Sequence, residues 1–313
     1  MNVFTATLNQ TAFLLLFIVL GYILSRWKFI PENSQAVLSK LENYVFIPAL
    51  VMGTFMENFT LQKLSSAGNL LLQSILLALI FIGLSLVCAR LCSKDRYEQN
   101  IYIYGLSFSN FAFMGNAVVS ALYPDIFWEY LLFCLPLWAM IYLWGVPTLL
   151  MGGSGGKQTL RSRLKSFVNP IFICTLIGMC IGLFSIPMPD FLNSAISAAG
   201  SCMSPVAMLL TGMTIGRCNF GEVLKNKGIY LFSALRLIVF PLLFLGVLAL
   251  CPMPKSFATC AIFTLSMPLG LNTIIIPNAM GRDTRIPAGV ALVSHLLSCV
   301  TIPLILMLFS LIP

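Results

Sequence analysis

Read from its amino terminus, the chain carries its apolar residues in runs of about 20 rather than in alternation or along one helical face. A run of that length crosses a bilayer as a helix. Ten such spans are predicted, at 8–25, 37–56, 68–91, 101–123, 127–151, 168–187, 191–215, 228–251, 257–280 and 286–311. Two are polar enough to weaken the pattern. Lys40, Glu42 and Asn43 stand at the start of the second, and Ser107, Ser109, Asn110, Gly115 and Asn116 occupy the fourth. The ninth contains Pro268, Gly270, Asn272, Thr273 and Pro277 near its middle. An interior proline costs a helix roughly 3 kcal/mol and a glycine about 1. In hydrocarbon each freed backbone group costs several kcal/mol more unless protein or a water-lined cavity satisfies it. The ninth span is therefore expected to be a broken helix lining a cavity, with Pro268, Gly270 and Pro277 as its breaks and Gly115 as the break of the fourth.

Composition agrees with a membrane protein. Charged residues are 9% of the 313 and mean hydropathy is +0.95, against about 25% charged in soluble domains. The net charge of +8 would suggest a nucleic-acid partner in a soluble chain, but here its placement sets membrane orientation and no nucleic acid is expected. Lys or Arg follow the odd-numbered spans at 26, 28 and 40, at 90, 94 and 96, at 157, 161, 163 and 165, at 217, 225 and 227, and at 282 and 285, which is fifteen of the 18. The positive-inside rule makes those loops cytoplasmic and puts both termini outside a cell (inner or plasma) membrane. No Lys or Arg precedes Arg26, so the first run is expected to remain as a span rather than be cleaved as a signal peptide. The ten cysteines form no CxxC pair and there is one histidine, so neither a metal nor a cofactor is expected.

The Gly- and Ser-rich, then basic, stretch 152–167 divides the chain into two sets of five spans, 1–151 and 168–313. Its Gly152–Gln158 segment lacks the glycine spacing and the Ser or Thr of a phosphate loop and reads as a linker. Five spans per half force the second half to enter the membrane with opposite orientation, as an inverted repeat requires. Pro48 to Thr54 resembles Pro205 to Thr214, and Ser109-Asn110 through Asn116 stands where Ser266 through Asn272 stands in the other half.

Spans four and nine would then run antiparallel, each interrupted near its centre. After each break a half-helix presents unpaired N–H groups and the positive end of its dipole, a ready site for an anion. Asn110, Asn116, Asn272 and Thr273 can add side-chain donors, or they can serve as caps of the broken helices. Arg236, five residues before Pro241 and roughly 13 Å into span eight, can meet a carboxylate in a bidentate fork or cap backbone carbonyls. No Asp or Glu is expected deep in any span, so ion coupling would fall to asparagines, carbonyls or His295, either a proton relay or a hydrogen-bonded packing residue.

These residues carry a family resemblance. Ser109-Asn110-Phe111-Ala112-Phe113-Met114-Gly115-Asn116-Ala117 resembles the Asn-Thr-Gly-Phe-Met-Gly-Ile-Pro pattern of the auxin efflux carrier family, in its bacterial permease branch. Asn110, Phe113, Met114 and Gly115 match, while Ala117 stands in place of the proline. Met267-Pro268, Asn278 to Asp283, Ala291 to Ser298 and Thr301 to Leu304 resemble the family's closing region, with His295 in place of a commoner Thr, and Arg236 to Pro241 fits its basic-then-proline span. The resemblance implies an all-α protein of ten helices in two inverted five-helix repeats, with broken helices four and nine crossing. It implies a scaffold of spans one, two, six and seven that forms a homodimer in lipid, and a transport unit of spans three to five and eight to ten that moves elevator-fashion. It also implies a small organic anion as substrate, a carboxylate or a dicarboxylate such as malate or malonate. The expected function is secondary active transport. The alternatives are a sodium-coupled symporter of the bile-acid type and, more remotely, an intramembrane enzyme or a channel.

Overall fold

A computed structural model describes residues 3–31, 33–151, 170–217 and 223–312. The linker at 152–167 lies outside the described residues. Among those described the chain is helical, with no strand. The helices are α1 (Val3–Arg26), α2 (Ser34–Asn58), α3 (Leu61–Cys92), α4 (Arg96–Ser107), α5 (Phe111–Leu122) and α6 (Pro124–Leu150). The second half contributes α7 (Pro170–Leu183), α8 (Asp190–Gly216), α9 (Lys227–Leu250), α10 (Lys255–Ser266), α11 (Asn272–Ala279) and α12 (Arg285–Phe309).

Seven stretches are long and apolar enough to cross a membrane: Leu8–Arg26 of α1, α2, Asn69–Cys92 of α3, α6, α8, α9 and α12. The chain is a polytopic membrane protein. The three remaining expected spans fall on shorter pieces. The sixth corresponds to α7, and the fourth and ninth to the broken pairs α4–α5 and α10–α11.

Local chemistry fixes the helix ends. Asp95 begins α4 by accepting the Glu98 N–H at 2.9 Å, and Asn226 begins α9 by accepting the Gly228 N–H at 2.8 Å. At the end of α1, Lys28 adopts a left-handed φ of 56°, Phe29 N–H donates to Leu24 O at 3.1 Å and Lys28 N–H to Ser25 O at 3.2 Å. The end of α7 repeats the motif: Ser185 has φ 49°, Ile186 N–H donates to Ile181 O at 3.0 Å and Ser185 N–H to Gly182 O at 3.3 Å. In both, two orphan carbonyls of the last turn are satisfied before the chain reverses.

Two helix pairs are drawn together by glycine. A β-carbon at Gly21 of α1 would land on the Leu209 carbonyl of α8, and one at Gly212 of α8 on the Ile18 carbonyl of α1. On the other side, Gly178 and Gly182 of α7 press on the backbone of Met52 and Phe55 in α2. Lipid tails are as apolar as leucine, so dispersion from such close approach, rather than hydrophobic burial, holds these pairs.

Four helices carry a widened, π-type stretch: Glu42–Phe46 in α2, Phe111–Gly115 opening α5, Ile141–Leu150 in α6 and Leu235–Val239 in α9. In three of them a proline lies within or two residues beyond, at 48, 147 and 241. Its ring crowds the carbonyl four residues back and it offers that carbonyl no N–H, so the wider turn relieves the clash. Outside the apolar region Arg282 ties the end of α11 to the end of α6, donating to Leu150 O at 3.1 Å and Met151 O at 3.2 Å. Nearby, the Arg285 guanidinium holds the Asp283 carboxyl below the usual carboxylate range.

The glycine contacts predict a sharp contrast. Gly178→Val should destabilise the purified protein by about 1–3 kcal/mol, as overpacking does. Gly246→Val, where a β-carbon meets nothing within 4 Å, should leave the melting temperature unchanged. Thermal unfolding in detergent reads both.

Candidate functional site

The two interruptions meet. Between α4 and α5 the chain leaves the helix at Phe108, and between α10 and α11 at Met267. There Ser109 and Leu269 pair as a single antiparallel bridge, and Asn110 N–H donates to Pro268 O at 2.8 Å. Ser109 Oγ donates to Thr264 O at 2.7 Å, and Leu269 N–H reaches Ser294 Oγ of α12 at 3.3 Å. Each interruption thus supplies the hydrogen bonds that the other lost when its helix stopped.

Arg236 secures the same point. It is 1% exposed, and its Nε donates to Met267 O at 3.1 Å, Nη1 to Leu106 O at 2.7 Å and Nη2 to Thr264 O at 2.7 Å. Those carbonyls end α4 and α10, where orphan oxygens and the negative ends of two helix dipoles converge. Of the two uses expected for this arginine, the structure displays carbonyl capping. Its guanidinium is turned into the crossing and does not line the cavity described next.

The beginnings of α5 and α11 face that cavity, a space of about 30 Å³, room for roughly one water molecule. Its polar lining is Asn43 of α2, Tyr104 of α4, Ser109, Asn110 and Asn272; Phe111, Ala112, Phe113, Gly270 and Leu271 add backbone and apolar surface, and Trp138, Ile141 and Tyr142 of α6 close it. Trp138 stacks on Tyr142 with ring centres 5.9 Å apart, and Phe111 meets Trp138 edge-on at 5.5 Å. Behind Trp138 and Tyr142 an apolar cleft of about 100 Å³ separates α6 from α2 and α7.

Asn110 is oriented from below. His295 Nδ1 lies 2.8 Å from Ala291 O and its Nε2 lies 3.1 Å from Asn110 Nδ2. A carbonyl only accepts, so Nδ1 holds the hydrogen and Nε2 accepts from the amide. The second amide hydrogen and Oδ1 of Asn110 remain for the cavity. Across it Asn272 Nδ2 donates to the Tyr104 hydroxyl at 3.1 Å.

Of the expected site residues, Asn110, Gly270 and Asn272 line the cavity. Pro268 and Gly270 lie in the interruption between α10 and α11, as a missing N–H and a missing side chain demand there; a β-carbon on Gly270 would sit 3.1 Å from Ser109 O. The other expectations need correction. Gly115 is helical, at φ −61° and ψ −48°, so the first break falls earlier, at 108–110, and Gly115 instead admits the Tyr130 hydroxyl that donates to Phe111 O at 3.0 Å. Pro277 lies inside α11 rather than breaking it, its ring accommodated in the last turns. Thr273 spends its hydroxyl on Gly270 O at 2.7 Å, and both it and Asn116 are buried away from the cavity.

Asn43, Tyr104, Trp138 and Tyr142 escaped the sequence reading; Asn43 showed there only as a polar residue weakening an apolar run. Glu42 overturns the expectation that no carboxylate is buried within a span. It is 0% exposed and neither carboxylate oxygen has a hydrogen-bond partner. The helix begins at Ser34 rather than 37, and the widened turn from Glu42 rotates the residue inward.

The clamp at Arg236 is testable with its charge preserved. Arg236→Lys keeps a cation but cannot reach three carbonyls, and each one left buried without a donor costs about 1–3 kcal/mol. The variant should melt well below the wild type; an unchanged melting temperature would show that the crossing does not need the fork.

A family model described as membrane transport protein matches residues 6–306, nearly the whole chain. Among curated proteins none matches it.

Proposed function

The chain belongs to this membrane transport family, of the auxin efflux carrier type, and we propose that it is a secondary active transporter of a small carboxylate working by alternating access around the crossing. Members of the family are transporters and not enzymes. The observation that carries the finer reading is the antiparallel pairing of Ser109 with Leu269 beneath a cavity faced by Asn110, Asn272 and two helix beginnings. Positive dipole ends and amide donors suit an anion, while the negative ends are turned away onto Arg236. In this reading Asn110 and Asn272 touch the substrate, and His295 and Arg236 are positioning residues.

The same geometry supports ten spans in two inverted repeats, 1–151 and 168–313. Gly21 packs on Leu209 and Gly178 on Met52. Glycine to glycine and acceptor to acceptor, the spacing is 157 residues (178 less 21, 209 less 52). Exchanging the halves therefore exchanges the α1–α8 pair for the α7–α2 pair. The caps obey the same rule, Lys28 answering to Ser185 and Phe29 to Ile186. These relations support α1, α2, α7 and α8 as a scaffold and α3–α6 with α9–α12 as the moving unit, an elevator whose scaffold forms a homodimer. The basic loops support both termini outside a plasma or inner membrane.

A cavity of about 30 Å³ is too small for a dicarboxylate, so the arrangement corresponds to a closed state that must open toward one side to load. Dicarboxylates such as malate and malonate and simpler monocarboxylates are the substrates to test. Thermal stabilisation of the purified protein against such a panel, with and without sodium, is the measurement. One compound should raise the melting temperature, since a ligand that binds the native state stabilises it by mass action. Asn110→Ala and Asn272→Ala should each remove that shift. A panel with no response would overturn the carboxylate reading, and a response only with sodium would favour the bile-acid-type symporter.

A further inference from the structure

Glu42 is a buried carboxyl that the fold does not use. Both oxygens lack a hydrogen-bond partner and the residue is fully enclosed, about 12 Å along α2 from Ser34. An ionised carboxylate so placed forgoes its hydration and gains no compensating contact, whereas the neutral acid forgoes far less. The residue is also not remote from the site. The next side chain on the same widened turn, Asn43, lines the cavity with Asn110 and Asn272.

We propose that Glu42 is a proton-binding site coupled to the anion: it holds a proton in the closed state, and a carboxylate occupies the crossing only while Glu42 remains protonated. The inference rests on the carrier reading above for its anion. Its logic is electrostatic. One more negative charge beside a small, water-poor anion site repels the substrate, and a single proton removes that charge. Loading transfers a proton from hydronium to the Glu42 carboxylate: one O–H bond of hydronium breaks, one O–H bond forms on Glu42 and a water molecule is released. When the crossing moves and water reaches α2, that bond breaks, the proton returns to water and the carboxylate repels the departing anion.

The surroundings favour a proton over a metal ion. No group of three or more His, Cys, Asp or Glu capable of holding a metal occurs among the described residues, whereas a proton needs only the carboxyl itself. The widened turn packs against the rest of α2, α7 and α8. The titratable side chains of those helices are Lys40, Tyr44 and Glu57, Cys174 and Cys180, and Asp190 and Cys202; all but the half-buried Cys174 are exposed. Across the cavity from Asn43 the ionisable groups are the phenols of Tyr104 and Tyr142. None of these makes a hydrogen bond to Glu42.

Two readouts test it. Infrared spectra of the purified protein across a pH series should contain a protonated carboxyl band at neutral pH that Glu42→Gln removes; no such band in the wild type overturns the inference whatever the protein binds. Affinity for the stabilising carboxylate should fall about tenfold per pH unit once Glu42 ionises, as linkage to one proton requires, and should become independent of pH in Glu42→Gln, which mimics the neutral acid. Glu42→Leu serves if the glutamine variant folds poorly. A pH dependence retained in both variants overturns the proposal, as does a sodium dependence that disappears with Glu42. If no carboxylate binds either protein at any pH, the carrier reading fails, and the infrared band still decides whether Glu42 holds its proton.

Discussion

Two helices are interrupted in a medium that offers no water to the backbone, and everything around the crossing follows from where those freed groups find partners. The interruptions satisfy one another through the Ser109–Leu269 bridge and the Asn110 to Pro268 bond. The carbonyl ends of α4 and α10 converge on one guanidinium. That division sorts charge across the crossing: the negative dipole ends are neutralised by Arg236, and the positive ends of α5 and α11 are left toward a small cavity. In the anion-carrier reading, the site is thus a by-product of solving the backbone problem, and the asparagines refine it.

In the elevator reading proposed above, the crossing needs a stiff frame to slide against, and the glycine seams are the part of the fold suited to that role. Helices that approach to backbone contact along α1–α8 and α2–α7 have little freedom to rearrange. Between those seams and α6 lies the apolar cleft behind Trp138 and Tyr142. On the opposite side α1 packs along α12 and α5, where Thr11 donates to Cys299 O at 3.5 Å and Gln10 to Ala117 O at 3.4 Å; in the elevator reading these are the contacts that rigid-body motion would have to exchange.

How much of this was legible in the sequence depends on whether a feature is written in one residue or in a geometry. The runs of apolar residues gave the spans, and Pro268 and Gly270 marked their interruption, because each acts on its own backbone. Asn110 and Asn272 were visible as amides where hydrocarbon should be. Arg236 was visible too, yet its role turned on which way one side chain points, and the carbonyls it serves are 28 to 130 residues away in sequence. Glu42 was hidden by counting depth from an apolar window that begins late. Gly115 and Pro277 misled for the opposite reason: each is a helix breaker by propensity, and tertiary packing overrode it.

The widened turn in α2 has a geometrical effect that reaches past its own five residues. An α-helix advances by roughly 100° with every residue, so accommodating one additional residue in a turn offsets the phase of the whole segment beyond it. Upstream of Glu42 the helix keeps one azimuth, with Gln35 bonded to Thr214 of α8 at 2.6 Å; downstream it keeps another, with Met52 and Phe55 against α7. One continuous rod thereby keeps α8 beside it on both sides of the turn, with Leu50 against Gly200 and Gly53 against Ile196, while its downstream segment also packs on α7, and the acid and the amide at 42 and 43 sit at the seam between the two phases.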